Sequence, residues 1–152
     1  MSRTRTLVVM TAAGCVAALW GMLANAWLVG VHHVGLLGVE ICSDFCEVKS
    51  WSDLHASREL FWLSGLTLLG AIHTIGFSIH ALVQVHRDRR ERIRIGWTIG
   101  SAVSTIIPGV IFLVRAATLL RGESASVGYA PFVEAAGVIA LAMLVRQLKN
   151  GR

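Results

Sequence analysis

Hydrophobic residues in this chain fall in long, nearly unbroken runs rather than at the intervals of a one-sided helix or strand. Four runs, about 7–29, 60–85, 95–119 and 127–145, are each mostly apolar; crossing a bilayer as a helix takes about 20 such residues. Between the first and second runs the pattern changes. "GVEIC" at 38–42 and "CEVKSW" at 46–51 alternate apolar and polar residues, as half-buried strands do, and a turn through Ser43, Asp44 and Phe45 would join them as a hairpin. The expected fold is an all-α membrane protein, a left-handed four-helix transmembrane bundle forming one domain over 1–152. A small extracellular β-hairpin or sheet is expected between helices 1 and 2. Arg3 and Arg5 ahead of the first run resemble the start of a signal peptide, but the run is longer than a usual cleaved segment. Trp27 near its end suits an interfacial anchor, so the segment is expected to remain as a helix.

Composition narrows the class. With 55% hydrophobic and 15% charged residues among 152, the chain is too apolar for an ordinary soluble domain. Its charges give a direction, because Lys and Arg accumulate in short cytoplasmic loops. Arg3 and Arg5 precede the first run, Arg87, Arg89, Arg90, Arg92 and Arg94 lie in the loop at about 86–94, and Arg146, Lys149 and Arg152 end the chain. Both termini and that loop are therefore expected inside, most simply at the plasma membrane. The loops at about 30–58 and 120–126 face outward, and the larger one is acidic, with Glu40, Asp44, Glu47, Asp53 and Glu59 against Lys49 and Arg58. The net charge of +5 hides this asymmetry. The basic run "HRDRRERIR" suggests nucleic-acid or anionic-lipid binding, but Asp88 and Glu91 dilute it and inside retention already accounts for it, leaving lipid contact as the lesser alternative. No nucleic acid is expected; the expected partners are the bilayer, other membrane proteins or further copies of the chain.

Membrane helices associate through close packing of small residues. Gly96, Gly100 and Ser104, four residues apart, are the expected packing face of the third helix, and Gly14, Ala18 and Gly21 that of the first. Gly65, Gly70 and Gly76 thin the second helix, and Pro108 beside Gly109 should kink the third. Ionisable groups within spans attract functional suspicion. Arg115 and Glu134, both toward the outer side, are a possible intramembrane ion pair. His73 and His80 share a face of the second helix, but no opposing span offers a histidine for haem, so polar packing is their expected role. His32, His33, Glu40, Asp44 and His55 are zinc ligands by residue type only, since their spacing matches no recognised pattern. No cofactor, metal or catalytic residue is expected, as no nucleophile and base, phosphate loop or acid cluster accompanies the helices.

Cys15 lies within the first run and is most simply a small packing residue. Cys42 and Cys46 lie on the outward side, where a disulfide is permitted, and they would face each other across the hairpin. The competing chemistry is a membrane thiol oxidoreductase, but such enzymes use a Cys-x-x-Cys dithiol and generally a second pair to relay electrons.

The outer loop resembles the claudin, peripheral myelin protein and epithelial membrane protein superfamily, whose first extracellular loop carries Trp, then Gly-Leu-Trp, then Cys and Cys. Here Trp27, "GLL" at 35–37, Cys42 and Cys46 follow in that order, with Leu37 where the pattern has its second tryptophan. "SDLHASREL" is similar to the opening of the family's second helix, with Arg58 at its arginine, and "GYAPFVEAAG" to the start of its fourth. The resemblance implies a small extracellular sheet on a left-handed bundle, pinned by a disulfide. It makes Trp27, Gly35, Leu36, Cys42, Cys46 and Arg58 structural signature positions. The implied function is non-enzymatic: adhesion, barrier formation or service as an accessory subunit. The alternative is a channel or transporter component with Glu134, Arg115, His73 and His80 along a polar path.

Overall fold

A computed structural model describes residues 3–30, 32–42, 45–53, 58–119 and 125–150. Among these, the helices are α1 (Arg3–Leu23), α2 (Arg58–His86), α3 (Ile95–Leu119) and α4 (Ala130–Asn150). All four are long and apolar enough to cross a membrane. The bounds of α2 and α3 are close to those expected. The first helix stops at Leu23 rather than near 29, because the still-apolar Leu28 and Val29 form strand β1 and pair with two other strands. The fourth begins at Ala130 rather than 127, because Ser126 and Val127 are strand β5, and it runs on to Asn150.

Inside the bundle the buried positions follow one rule. On α2 they include Leu60, Ser64, Thr67, Ala71, Thr74, Ser78 and Ala81. On α3 they include Thr98, Ala102, Thr105, Gly109, Phe112 and Ala116. Steps of four and three residues alternate, a 3.5-residue period that keeps one seam facing its neighbour. α1 packs mainly on α4, and α2 on α3. Most seam hydroxyls bond within their own helix: Ser64 to the Phe61 carbonyl at 2.9 Å, Thr67 to Leu63 at 2.8 Å, Thr74 to Gly70 at 2.9 Å, Ser78 to Thr74 at 2.7 Å and Thr105 to Ser101 at 2.9 Å. Such bonds satisfy polar groups without water. The outward faces are apolar, with Val16, Leu69, Ile72, Val103, Ile107, Val114 and Met143 exposed.

At one end of the bundle sits an antiparallel sheet in the order β4-β3-β2-β1-β5. Its strands are β1 (Leu28–Val29), β2 (His33–Val34), β3 (Gly38–Cys42), β4 (Cys46–Ser50) and β5 (Ser126–Val127). The expected hairpin is β3–β4, registered from Gly38↔Ser50 to Cys42↔Cys46; Ser43 and Asp44 of its turn lie outside the described residues. The hairpin is not half-buried throughout. Val39 is buried, but every position of β4 from Cys46 to Lys49 is exposed, because the hairpin extends beyond the bundle and only its base has something to cover it. β5 comes from the loop before α4, so both long connections at this end share one sheet.

The opposite end is held by main-chain bonds. α2 ends in a Schellman arrangement: the Arg89 amide donates to the Gln84 carbonyl at 2.9 Å, the Asp88 amide to Val85 at 3.1 Å, and Asp88 takes φ 53°, a left-handed conformation that Asp tolerates. A short 3-10 turn, Arg90–Arg92, leads to Ile93, which is buried against Ala81, Leu144, Val145 and Leu148. Arg90 donates to the Leu148 carbonyl at 3.1 Å, and Lys149 to the Ile93 carbonyl at 2.9 Å.

Candidate functional site: the sheet and its aromatic anchor

What fixes the sheet to the bundle is a set of three rings. Phe112 of α3 is 0% exposed, and Trp27 and Trp51 each meet it edge-on with centroids 5.6 Å away, at interplanar angles of 90° and 81°, an arrangement that aromatic quadrupoles favour. Both indoles are also satisfied. Trp27 Nε1 donates to the Gly21 carbonyl at 3.0 Å, one of the last-turn carbonyls of α1 that lack an intrahelical donor. Trp51 Nε1 donates to the Gly35 carbonyl at 3.1 Å. Trp27 is thus buried between sheet and helices, and it is not the lipid-facing interfacial anchor expected from its place in the sequence. Its ring lies over Gly109, where a Cβ would come within 3.2 Å of it.

Leu36 is buried beside these rings, while Leu37 turns outward at 48% exposed. Gly35 closes the β2–β3 connection by donating to the Gly38 carbonyl at 2.9 Å, and a Cβ there would fall on the Asn25 side chain. Trp51 was not singled out by the sequence. Its signal was an isolated aromatic just after an alternating run, outside any apolar segment.

Beyond this anchor the hairpin carries exposed apolar groups: Phe45 at 87% and Val48 at 54%. Glu47 and Lys49 flank Val48 and are also exposed. On the neighbouring strands His33 faces Glu40 at 3.5 Å across the register pair, an ion pair when His33 is protonated. Cys42 and Cys46 are directly opposite in the ladder, where Cα separations of about 4.5–5.5 Å suit a disulfide. Cys15, within α1, is a free thiol.

Several expected groupings are not formed. Arg115 does not pair with Glu134; it meets Glu59 of α2 at 3.6 Å with both side chains largely exposed. Glu134 is 1% exposed, with its backbone against Gly21 of α1, and neither carboxyl oxygen has a hydrogen-bond partner among the described residues. The α4 seam turns Glu134 inward, whereas Arg115 lies off the α3 seam. His73 and His80 are on the outward side of α2, away from Glu134. His73 Nδ1 donates to the Leu69 carbonyl at 2.7 Å, and His80 Nε2 lies 3.3 Å from Gln84 Nε2. These four residues do not line one path.

Gly96, Gly100 and Ser104 are also exposed, and nothing approaches either glycine within 4 Å, because the α3 seam is the row Thr98, Ala102 and Thr105. The corresponding expectation for α1 holds: Gly14, Ala18 and Gly21 face Leu141, Gly137 and Glu134 of α4. Arg58 is exposed in the first turn of α2. Asp44 and His55 lie outside the described residues, and among the described residues no three His, Cys, Asp or Glu side chains gather as metal ligands.

Compared with known proteins, the chain matches no protein-family model and no curated sequence.

Proposed function

We propose that the chain is a claudin-like integral membrane protein of the plasma membrane. In this reading it is a left-handed four-helix bundle with both termini cytoplasmic, and it acts by associating with a membrane partner or with itself rather than by catalysis. The apolar outward faces and the 3.5-residue seams support the bundle in lipid. Trp20, Trp62, Tyr129 and Phe132 support its placement, since they are exposed at the sheet end, where an aromatic belt meets the headgroups. The order Trp27, Gly35, Leu36, Cys42, Cys46 supports the family likeness. The facing register of Cys42 and Cys46, together with Cys46 having a bonding partner, supports a disulfide there rather than a redox-active dithiol.

One observation carries the association reading. Exposed apolar residues on the helices are accounted for by lipid, but Leu37, Phe45 and Val48 are exposed on a sheet beyond the helices, where the solvent is water. Among the described residues β4 is moreover an edge strand of the sheet, and such a strand invites pairing with another chain. The test is crosslinking and co-purification from native membranes of wild type and Phe45→Asp/Val48→Asp at matched expression. At least a tenfold loss of crosslinked and co-purified species is expected, with the far-UV circular dichroism spectrum unchanged. Retention of the wild-type pattern by the folded double variant overturns the reading.

A further inference from the structure

A groove runs along the outside of α2 and α3 from the arginine-rich end of the bundle. Arg92 and Arg94 stand at its mouth with His80, and Phe77 and Trp97 form its walls. It continues over Gly96, Gly100 and Ser104 to His73. Phe77 and Trp97, with ring centroids 6.0 Å apart, line both stretches, which adjoin there. We propose that this groove is a binding site for a single anionic phospholipid, its phosphate on Arg92 and Arg94 and one acyl chain laid over the glycines. The site rests on the four helices lying in a bilayer with this end cytoplasmic, and it is independent of the association of the hairpin.

Three observations converge on that occupant. The first is charge that is free to be used. Arg90 and Lys149, from the same end, are spent on the Leu148 and Ile93 carbonyls, and these bonds with the Schellman turn at Asp88 fix the loop that presents Arg92 and Arg94. Basic pockets between helices at the cytoplasmic face suit anionic headgroups. The second is length. From Arg94 to Ser104 a helix rises roughly 15 Å, half of a hydrocarbon core about 30 Å thick, so the channel spans one leaflet, as one acyl chain does. The third is the change of lining with depth, from guanidinium groups, through an indole at interfacial level, to bare helix backbone at Gly96 and Gly100 with nothing within 4 Å.

The test reconstitutes the full chain in nanodiscs of phosphatidylcholine with and without phosphatidylglycerol and counts retained lipids by native mass spectrometry after mild delipidation. Wild type is expected to retain one phosphatidylglycerol in preference to phosphatidylcholine. Arg92→Gln/Arg94→Gln should lower that preference by roughly fivefold for each arginine. Arg5→Gln/Arg89→Gln, which removes the same charge from the same end outside the groove, should leave it intact. Gly100→Leu should reduce retention of either lipid by obstructing the floor. Phe45→Asp/Val48→Asp should keep the wild-type preference, which separates failure of this site from failure of the association reading. Equal losses in the two arginine pairs would show only diffuse surface charge and overturn the proposal. So would full lipid retention by Gly100→Leu coupled to loss of self-association, which would make the groove a helix-docking face.

Discussion

Two helix faces carry small residues at nearly the same spacing and are used in opposite ways. On α1, Gly14, Ala18 and Gly21 lie against α4 so closely that a Cβ on Gly21 would come within 2.5 Å of the Glu134 backbone nitrogen. On α3, Gly96, Gly100 and Ser104 face outward with nothing over the glycines. The spacing of small residues shows that a face permits close approach; whether it is approached depends on which residues form the rest of the seam. On α3 the row Thr98, Ala102, Thr105, Gly109, Phe112 and Ala116 has the full 3.5-residue repeat and includes a large ring. The glycine row beside it is one face too many for the helix to bury.

The sharpest way to test this contrast is to remove what holds α3 in place of its glycines. Phe112→Ala should cost about 3–5 kcal/mol in unfolding titrations from mixed micelles, because two tryptophans lose their shared partner. A loss below about 1 kcal/mol would mean that α3 is held elsewhere.

Next in size, one methyl group should separate the two faces. Gly21→Ala should destabilise by about 1–3 kcal/mol through overpacking against backbone. Gly100→Ala in the same assay should be neutral or stabilise by up to about 1 kcal/mol, as helix propensity predicts for an open position. Equal effects at the two sites would abolish the distinction.

The hairpin provides a reference outside both faces. Cys42→Ser and Cys46→Ser should each lose about 2 kcal/mol, as the chain-entropy model gives for so short a loop. The double variant should lose little more, and unequal single losses would argue against a shared bond.

The helices were legible because hydropathy over 20 residues hardly depends on tertiary context. The β3–β4 hairpin was legible because five-residue strands are long enough to alternate. β1, β2 and β5 were not, since two residues carry no period and pairing alone makes them strands. That is also why "AWLV" reads as helix until Val34 and Val127 are found opposite Leu28. At the site, Trp27, Gly35 and Leu36 had been singled out, yet the place of Trp27 at the end of an apolar run suggested lipid as its neighbour, and Trp51 was missed. The misjudged pair, Arg115 and Glu134, shows the same limit: depth along a span can be estimated from sequence, but direction around the helix depends on which seam wins.

The pairing of β1 with β5 also orders events in time. Leu28 leaves the ribosome some hundred residues before Val127, so strand β1 must wait for its second neighbour until the last helix is being made. Until then one border of the sheet is open, and the Ala26 and Trp27 carbonyls, which later accept from the Ala130 and Gly128 amides, have no such donors. Arrival of the fourth helix is therefore what closes the β1 border of the sheet during synthesis, and a chain stalled before it would display that border to the quality-control machinery.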